Sequence, residues 1–235
     1  MTKYKLIIPA LLVALGLIGM GLCIRSGFNS FSQPSRTVSV RGLAEREVKA
    51  NKVTWPIVYK LVGNNLTGIY DEIQKSNKTV IKYLRDNGVK DTEISINAPE
   101  IVDLQADRYI ERNFPYRYNV TSVIVVVSAD VDHIRQLISN QSELLKEGIV
   151  VTDGGYQYQV QYDFTELNSI KPEMIAEATA NARQAGDRFA KDSESTLGKI
   201  KTASQGQFSI SDRDANTPYI KSVRVVTNID FFLED

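Results

Sequence analysis

Few residues of this 235-residue chain could take part in catalysis. His133 is the only histidine and Cys23 the only cysteine. A site with several histidine ligands is therefore excluded by count, and a catalytic triad would have to use His133 itself. His133 follows Asp132 in a predicted short helix, where a solvent-facing side chain is the ordinary interpretation and a general base is the alternative. The sequence therefore predicts no catalytic residue.

Three carboxylates lie at a spacing that could hold a cation. Asp103, Asp107 and Glu111 are four residues apart, so on a helix they would form an acidic stripe able to bind calcium. The segment has weak apolar periodicity, which favours a solvated loop instead. The sequence therefore predicts no metal site.

Basic and aromatic residues alternate in the same segment, a mixture that can bind single-stranded nucleic acid. These residues are Arg108, Tyr109, Arg112, Phe114, Tyr116 and Arg117. A loop folding over the sheet, or a surface for a partner protein, is favoured over nucleic-acid binding because the domain is acidic.

No glycine-rich phosphate motif occurs, and Asp153-Gly154-Gly155 is typical of a turn. The sequence therefore predicts neither a cofactor nor a nucleic-acid partner.

An apolar run, Leu6 to Ile24, determines where these residues would act. Its 19 residues would form a helix of about 28 Å, close to the thickness of a bilayer's hydrocarbon core. Lys3 and Lys5 precede the run, which favours a cytoplasmic N-terminus at residues 1–5 and a membrane anchor at residues 6–24. The sequence thus predicts an inner-membrane protein with its domain in the periplasm.

Two alternatives to an anchor remain open. A cleaved signal peptide would release the domain into the periplasm, although signal peptides usually have a shorter apolar stretch and a small-residue cleavage site. Lipidation at Cys23 is the other alternative, but Leu22 stands where a lipoprotein has a small residue. An N-terminus of the mature protein at Phe28 or beyond would exclude the anchor.

A polar linker, residues 25–36, separates the run from a domain at residues 37–235. Lys3, Lys5 and Arg25 are the only charged residues among the first 35, so the balanced 28 basic and 28 acidic residues of the chain leave the remainder acidic. Nucleic-acid binding would need a basic face. Without a cysteine, the domain has no disulfide and no thiol nucleophile.

Apolar periodicity predicts strands and helices in the order β-β-α-β-β-α-β-β-α-β-β. The predicted strands are Thr37–Gly42, Val53–Leu61, Ile94–Ile96, Val120–Val127, Ile149–Thr152, Tyr156–Phe164, Lys199–Phe208 and Val223–Phe232. Strands outnumber helices and run in adjacent pairs. The pattern therefore predicts an α+β fold with a mainly antiparallel sheet and helices packed on one side.

Several local signals refine this prediction. Thr67 is a plausible N-cap and Gly88 a stop for the first helix, and Pro172 would lie in the first turn of the third. Pro56 indicates an edge or a bulge in the second strand. Val120–Val127 is apolar on both parities, which predicts a central strand covered on both faces.

The alternation of Tyr156–Phe164 is the clearest signal of a half-buried strand. Its aromatic row would lie in the core under a helix or, alternatively, at a subunit contact. Residues 99–117 form a long polar connection to which no structure is assigned.

Several segments together resemble the SIMPL domain family of bacterial envelope proteins. They are Val38–Gly42, Leu84–Val89, Asp91–Ile94, Tyr118–Val127, Ala178–Ala190 and Leu197–Ile200, and the resemblance covers residues 37–232. It implies an α+β domain that is exported or held at the membrane. Some members are linked to oxidative-stress tolerance and some assemble into oligomers. The family has no established catalytic residues to carry over.

These observations predict a non-enzymatic protein that acts by self-association or by binding envelope partners. A redox-protective enzyme that uses carboxylates and tyrosines, including Asp103, Asp107 or Glu111, is one alternative. A small-ligand-binding module on the 99–117 connection is another.

Overall fold

The computed structural model describes residues 13–24, 36–106 and 115–234. The strands are β1 (Thr37–Lys49), β2 (Lys52–Gly63), β3 (Ile94–Ile96), β4 (Glu100–Asp103), β5 (Tyr118–Ser128), β6 (Gln161–Asp163), β7 (Thr196–Gln205), β8 (Ser209–Asp212) and β9 (Ile220–Glu234). The helices of the domain are α1 (Leu66–Asp86), α2 (Val131–Ser139) and α3 (Leu167–Asp192), with 3₁₀ turns at Asp91–Glu93 and Gln141–Glu147.

The N-terminal apolar run is described in part. Residues 13–24 are helical, whereas residues 6–12 of the predicted anchor and the linker at residues 25–35 lie outside the description. Within the described ranges, no helix has the length and apolar character needed to span a bilayer.

The strands form two antiparallel sheets, and the single sheet predicted from the sequence is wrong in that respect. In one sheet β9 pairs with β1, β7 and β8. In the other the order is β3–β5–β2–β6, and β4 also pairs with β5. The α+β class with antiparallel pairing is confirmed.

By compactness the chain divides into two units. The first unit comprises Met1–Gly42, Thr179–Gln205 and Thr227–Asp235, and the second comprises Leu43–Ala178 and Gly206–Val226. The second unit holds the whole of the sheet built on β2 and β5, together with α1 and α2.

One face of this sheet carries the core of the second unit. Val53, Trp55, Ile57 and Tyr59 alternate along β2 and are each at most 2% exposed, as their shared parity predicted. Helix residues Val80 and Leu84 of α1 and Ile134 and Leu137 of α2 pack into the same cluster. Because one parity of β2 meets both helices, α1 and α2 lie on the same face of the sheet.

The strand β5 is central, as predicted. It pairs with β2 along its whole length, so β3 and β4 must lie at its other edge. On the face away from the helices Val123 is buried, whereas Val127 is 39% exposed. The second face is therefore covered over only part of the strand.

Pro56 lies inside β2 but leaves no gap in the pairing with β5. Its nitrogen faces the opposite edge of β2, beyond the last residue that pairs with β6. Opposite β5, the N–H of Thr152 donates to the C=O of Val58 at 2.7 Å. Alternate residues of an antiparallel strand direct their backbone groups to the same side, so Pro56 points the same way as Val58. β6 pairs only with Lys52–Thr54, because the next pair would need a donor from Pro56 to Gln159.

The predicted strand Tyr156–Phe164 is wrong over most of its length. Only its segment Gln161–Asp163 is a strand, and residues 155–158 form a turn. Tyr156 is 99% exposed, so no buried tyrosine row exists there. The predicted strand Ile149–Thr152 is reduced to one bridge between Val151 and Tyr59.

Asn65, rather than Thr67, is the N-cap of α1. Its Oδ1 accepts hydrogen bonds from the N–H groups of Thr67 at 3.1 Å and Gly68 at 3.3 Å. After the helix, Gly88 has a left-handed φ of 86°, which confirms its predicted role as a stop.

The helix α3 begins at Leu167, so Pro172 lies inside the helix and not in its first turn. A buried stripe runs along it at every fourth position: Met174, Ala178, Ala182, Gly186 and Ala190. The sequence predicts a stripe of Ile175, Thr179, Ala182, Gly186 and Phe189 on this helix. Ala182 and Gly186 are buried, but Phe189 is 58% exposed. In the first unit, Ala182 packs with Val40, Ile229 and Phe231.

Three further differences concern strands. The first strand does not end at Gly42 but continues through the charged residues to Lys49. The strand β4 lies in the connection to which the sequence assigned no structure, and β8 follows directly after the predicted strand Lys199–Phe208.

Candidate functional site

Among the described residues, no hydrogen bond orients the imidazole of His133. Its backbone N–H donates to Asp130 Oδ1 at 3.1 Å, so Asp130 caps α2. The nearby Ser128 hydroxyl donates to Glu93 Oε1 at 2.6 Å and not to the imidazole. Burial raises the pKa of Glu93, but hydrogen bonds from Ser128 and the Lys90 N–H outweigh it and lower that pKa. A carboxylate held in this way is a weak base, so the cluster ties the loop before β3 to the end of β5.

Of the three carboxylates in the predicted acidic stripe, the structure describes only Asp103, which does not lie in a helix. Asp103 belongs to the strand β4, whereas Asp107 and Glu111 lie outside the described residues. The Arg117 guanidinium contacts the Asp103 carboxylate at 2.8 Å and, through this hydrogen bond, lowers its pKa. Among the residues with described positions, no group of three or more histidine, cysteine, aspartate or glutamate side chains could hold a metal ion.

Of the basic and aromatic residues named in this segment, the structure describes Tyr116 and Arg117. Besides Asp103, the guanidinium of Arg117 lies 5.0 Å from the ring centre of Tyr118. The other members, Arg108, Tyr109, Arg112 and Phe114, fall in the undescribed range. The Arg117 guanidinium, the one described in this segment, therefore contacts groups of the protein itself.

The Asp153-Gly154-Gly155 segment is the turn that the sequence predicted. Asp153 Oδ1 accepts a hydrogen bond from the Gly155 N–H at 3.0 Å, and Gly155 has a φ of 61°. This geometry is that of an Asx turn.

The candidate binding site is an open groove beside α1, in the second unit. Its volume is about 370 Å³. The lining is almost entirely apolar and comes from α1, β5 and the segment around β4: Leu66, Thr67, Ile69, Tyr70, Ile73, Pro99, Ile101 and Val120. We call this feature the apolar groove.

The register of the sheet explains why the groove exists. Val120 pairs with Leu61 on one side and with Ile101 on the other, so all three side chains project from the same face. Ile69 and Ile73 of α1 cover Val120 and pack with Leu61. Ile101, at the edge of the sheet, is left half-covered.

Large apolar side chains remain exposed along both walls. On α1, Leu66 is 41% and Tyr70 57% exposed. On the outer strands, Ile96 is 51% and Ile101 50% exposed, and Ile96 projects from the same face because it pairs with Ile124. Such a contiguous apolar surface is typical of an interaction site.

A buried polar cluster adjoins the groove at Ile73. The hydroxyl of Tyr59 lies 2.7 Å from Asn77 Oδ1 and 3.2 Å from the C=O of Ile73. The hydroxyl of Ser122 also contacts Asn77 Oδ1, at 3.2 Å. Burial raises the pKa of Tyr59, although its hydrogen bond with Ser122 opposes the shift. The cluster fixes α1 to the sheet through polar groups that are satisfied within the fold.

The chemistry available in the groove is binding through apolar contact. Among the lining residues that the structure describes, only Thr67 and Tyr70 carry a polar side-chain group, one hydroxyl each. The sequence indicates a polar connection beginning at Pro99 and assigns no structure to it. The signal that this prediction missed was the apolar pair Ile101-Val102 after Pro99, which forms β4.

Comparison with known proteins gives one family. The family model SIMPL, described as a protein of unknown function (DUF541), matches residues 38–228. The chain has no match among curated proteins.

Proposed function

The chain belongs to the SIMPL family, and from that premise we propose that it is a non-enzymatic binding protein of the cell envelope. It acts by associating with other envelope proteins or with copies of itself. Residues 6–24 hold it in the inner membrane, and the domain faces the periplasm.

The observation that carries this proposal is the apolar groove. It is open, its walls are apolar, and Tyr70 and Ile101 are at least half exposed. Burial of these side chains by a partner would be favourable at roughly 25 cal/mol per Å² of apolar surface. The groove therefore supports association and not a chemical step.

The N-terminal residues support the membrane location. Residues 13–24 are helical, and their large apolar side chains are exposed; Val13, Leu17 and Ile18, for example, are each more than 60% exposed. A helix that is apolar all round requires an apolar environment. Lys3 and Lys5 before it favour a cytoplasmic N-terminus.

Crosslinking in intact cells tests the proposal. We expect the full-length chain to form crosslinked species with another protein or with itself, and Tyr70→Ser to reduce their yield by removing an aromatic wall of the groove. Tyr156→Ser is the matched control because Tyr156 is fully exposed outside the groove.

Light scattering on the full-length chain in detergent would identify self-association directly. A strict monomer at high concentration, together with a crosslinking pattern free of partners, would contradict the proposal. Equal loss of crosslinks in the Tyr70 and Tyr156 variants would show that association does not use the apolar groove.

A small apolar ligand is the second candidate, because the volume of the groove falls within the range of small-molecule sites, about 300–1,000 Å³. Medium-chain fatty acids are suitable probes. A ligand at 100 times its Kd should stabilise the folded chain by about 2.7 kcal/mol and raise its Tm. An unchanged Tm across the series would remove this candidate.

A further inference from the structure

The outer strand β4 directs unpaired backbone groups away from the sheet. The N–H of Leu104 donates to the C=O of Arg117 at 2.7 Å, so Leu104 points toward β5. Because successive residues of an antiparallel strand point to opposite sides, Val102 also points toward β5 and Ile101 points outward. Ile101 therefore presents its N–H and C=O at the edge of the sheet.

Ile96 in β3 has the same orientation. The N–H of Asn97 donates to the C=O of Val123 at 3.0 Å, which directs Asn97 toward β5 and Ile96 outward. In the described part of the chain, β3 and β4 pair only with β5. The half-exposed side chains of Ile96 and Ile101 lie on the face that carries α1. Two residues thus combine an outward backbone with an accessible apolar side chain.

This combination is the recognition surface for an added strand. Main-chain groups of an edge supply hydrogen bonds, and a pocket beside the edge receives alternate side chains. A new strand would lie about 4.8 Å beyond β4. Its side chains on the face of α1 would lie next to Ile101 and fill the open side of the apolar groove.

The charge of the edge indicates which polypeptide fits. Residues 93–103 contain Glu93, Glu100 and Asp103 and no lysine or arginine. Asp103 pairs with Arg117 and Glu93 accepts a hydrogen bond from Ser128, so Glu100 is the carboxylate available to a partner. Glu100 is exposed and projects from the face opposite Ile101. A second copy of this edge would offer no lysine or arginine from residues 93–103 to Glu100, whereas a partner strand with basic side chains would be complementary.

We propose that the edge formed by β3 and β4 binds an extended segment of another protein by strand addition, with aliphatic side chains entering the apolar groove and alternate basic side chains facing Glu100. The inference rests on the proposed function, since it names the partner chemistry of the same site.

A peptide titration tests the mode of binding. The probe is a fluorescent peptide, Lys-Ile-Lys-Val-Lys-Ile-Lys, titrated with the full-length chain in detergent and followed by anisotropy. We expect Ile101→Pro to weaken binding at least tenfold, because it removes the outward N–H without removing a hydrogen bond to β5.

Two comparisons separate the main-chain and side-chain contributions. Ile101→Ala keeps the N–H and should weaken binding less than Ile101→Pro does. The same peptide with N-methyl groups at alternate residues keeps its side chains but should bind at least tenfold more weakly. An unchanged Tm in each variant confirms folding, and equal affinity of the wild type and Ile101→Pro would overturn the proposal.

Site-specific photocrosslinking in cells distinguishes failure of this inference from failure of the proposed function. The photoreactive residue p-benzoylphenylalanine is placed at position 102, on the edge, and at position 156, as an exposed control. We expect an adduct with another protein from position 102 only.

Three other results would count against strand addition to a foreign segment. An adduct with twice the mass of the chain would show that a second copy occupies the edge. Chemical crosslinks without any adduct from position 102 would overturn the inference and leave the proposed function standing. Absence of every crosslinked species would overturn both.

Discussion

At the scale of single residues, the buried hydroxyl of Tyr59 has a measurable role. In Tyr59→Phe, Asn77 Oδ1 loses a donor that lies 2.7 Å away. We expect the free energy of unfolding to fall by about 1 kcal/mol, measured by urea denaturation. Tyr156→Phe is the matched control, since Tyr156 is 99% exposed and should change the value by less than about 0.5 kcal/mol.

The same residue gives a prediction in alkali. Burial raises the pKa of Tyr59, so the folded chain keeps the phenolic proton at a pH where the unfolded chain, with an ordinary pKa near 10, has lost it. This contribution is complete below about pH 10 and is lost as the pH rises. Tyr59→Phe should therefore lose less stability than the wild type between about pH 9 and pH 11. Parallel curves would contradict this assignment.

Asp214 gives the corresponding prediction in acid. A hydrogen bond from the Thr217 hydroxyl, and then one from Arg213, lowers its pKa to about 2. A lowered pKa contributes stability above the ordinary value near 4, and this contribution is lost as the pH falls through about 2. Thermal unfolding between about pH 5 and pH 2 should therefore show a smaller decline for Asp214→Asn than for the wild type. A steeper decline in the variant would contradict the prediction.

Residue-level patterns predicted the core better than the site. Val53, Trp55 and Ile57 share a parity that the sequence displays directly. The apolar groove depends on what α1 leaves uncovered, and Ile101 lines it only because β4 pairs with β5. That pairing joins two segments across a long connection, so local periodicity contains no signal for it.

At the scale of elements, the close approach of α3 to its neighbours depends on Gly186. A Cβ there would lie 3.1 Å from Leu197 Cδ1 and 3.3 Å from Phe231 Cδ2. Gly186→Val should therefore lower the free energy of unfolding by about 1–3 kcal/mol through overpacking. Ala180→Val, on the exposed side of the same helix, is the control and should cost no more than about 0.7 kcal/mol of helix propensity. Equal effects at the two positions would show that propensity alone decides the result.

The largest error of element prediction also has a physical reason. From Tyr156 to Gln161, Gln alternates with Tyr or Val, but a strand needs a partner with free donors. Pro56 of β2 supplies none at the position opposite Gln159, and the left-handed turn at Gly155 redirects the chain. Alternation describes which side chains would share a face; it does not show whether a neighbouring strand is available.

At the scale of the whole molecule, the N-terminal run gives a prediction about location. Replacing Leu6–Ile24 with a cleavable signal peptide should move the chain from the carbonate-resistant membrane fraction to the soluble periplasmic fraction. Fractionation followed by immunoblotting measures this change. A wild-type chain that is already soluble, with a mature N-terminus at Phe28 or beyond, would contradict the anchor.

The α+β class was predictable because helix and strand periods are local properties of the sequence. The division into two sheets was not, since β1 and β9 pair across almost the entire length of the domain. The buried parity of Val223, Val225, Ile229 and Phe231 was visible in the sequence, but their partners were not.

Pro56 also has a consequence for how the chain reaches this arrangement. A slip of β2 by one position against β5 would turn the proline nitrogen toward β5 and remove an interior hydrogen bond from an eleven-residue ladder. Misaligned pairings of β2 with β5 are therefore penalised inside the ladder, where fraying of the strand ends does not relieve the defect. Pro56, which limits the length of β6, therefore also favours the correct register of β2 against β5, the two longest strands in that sheet.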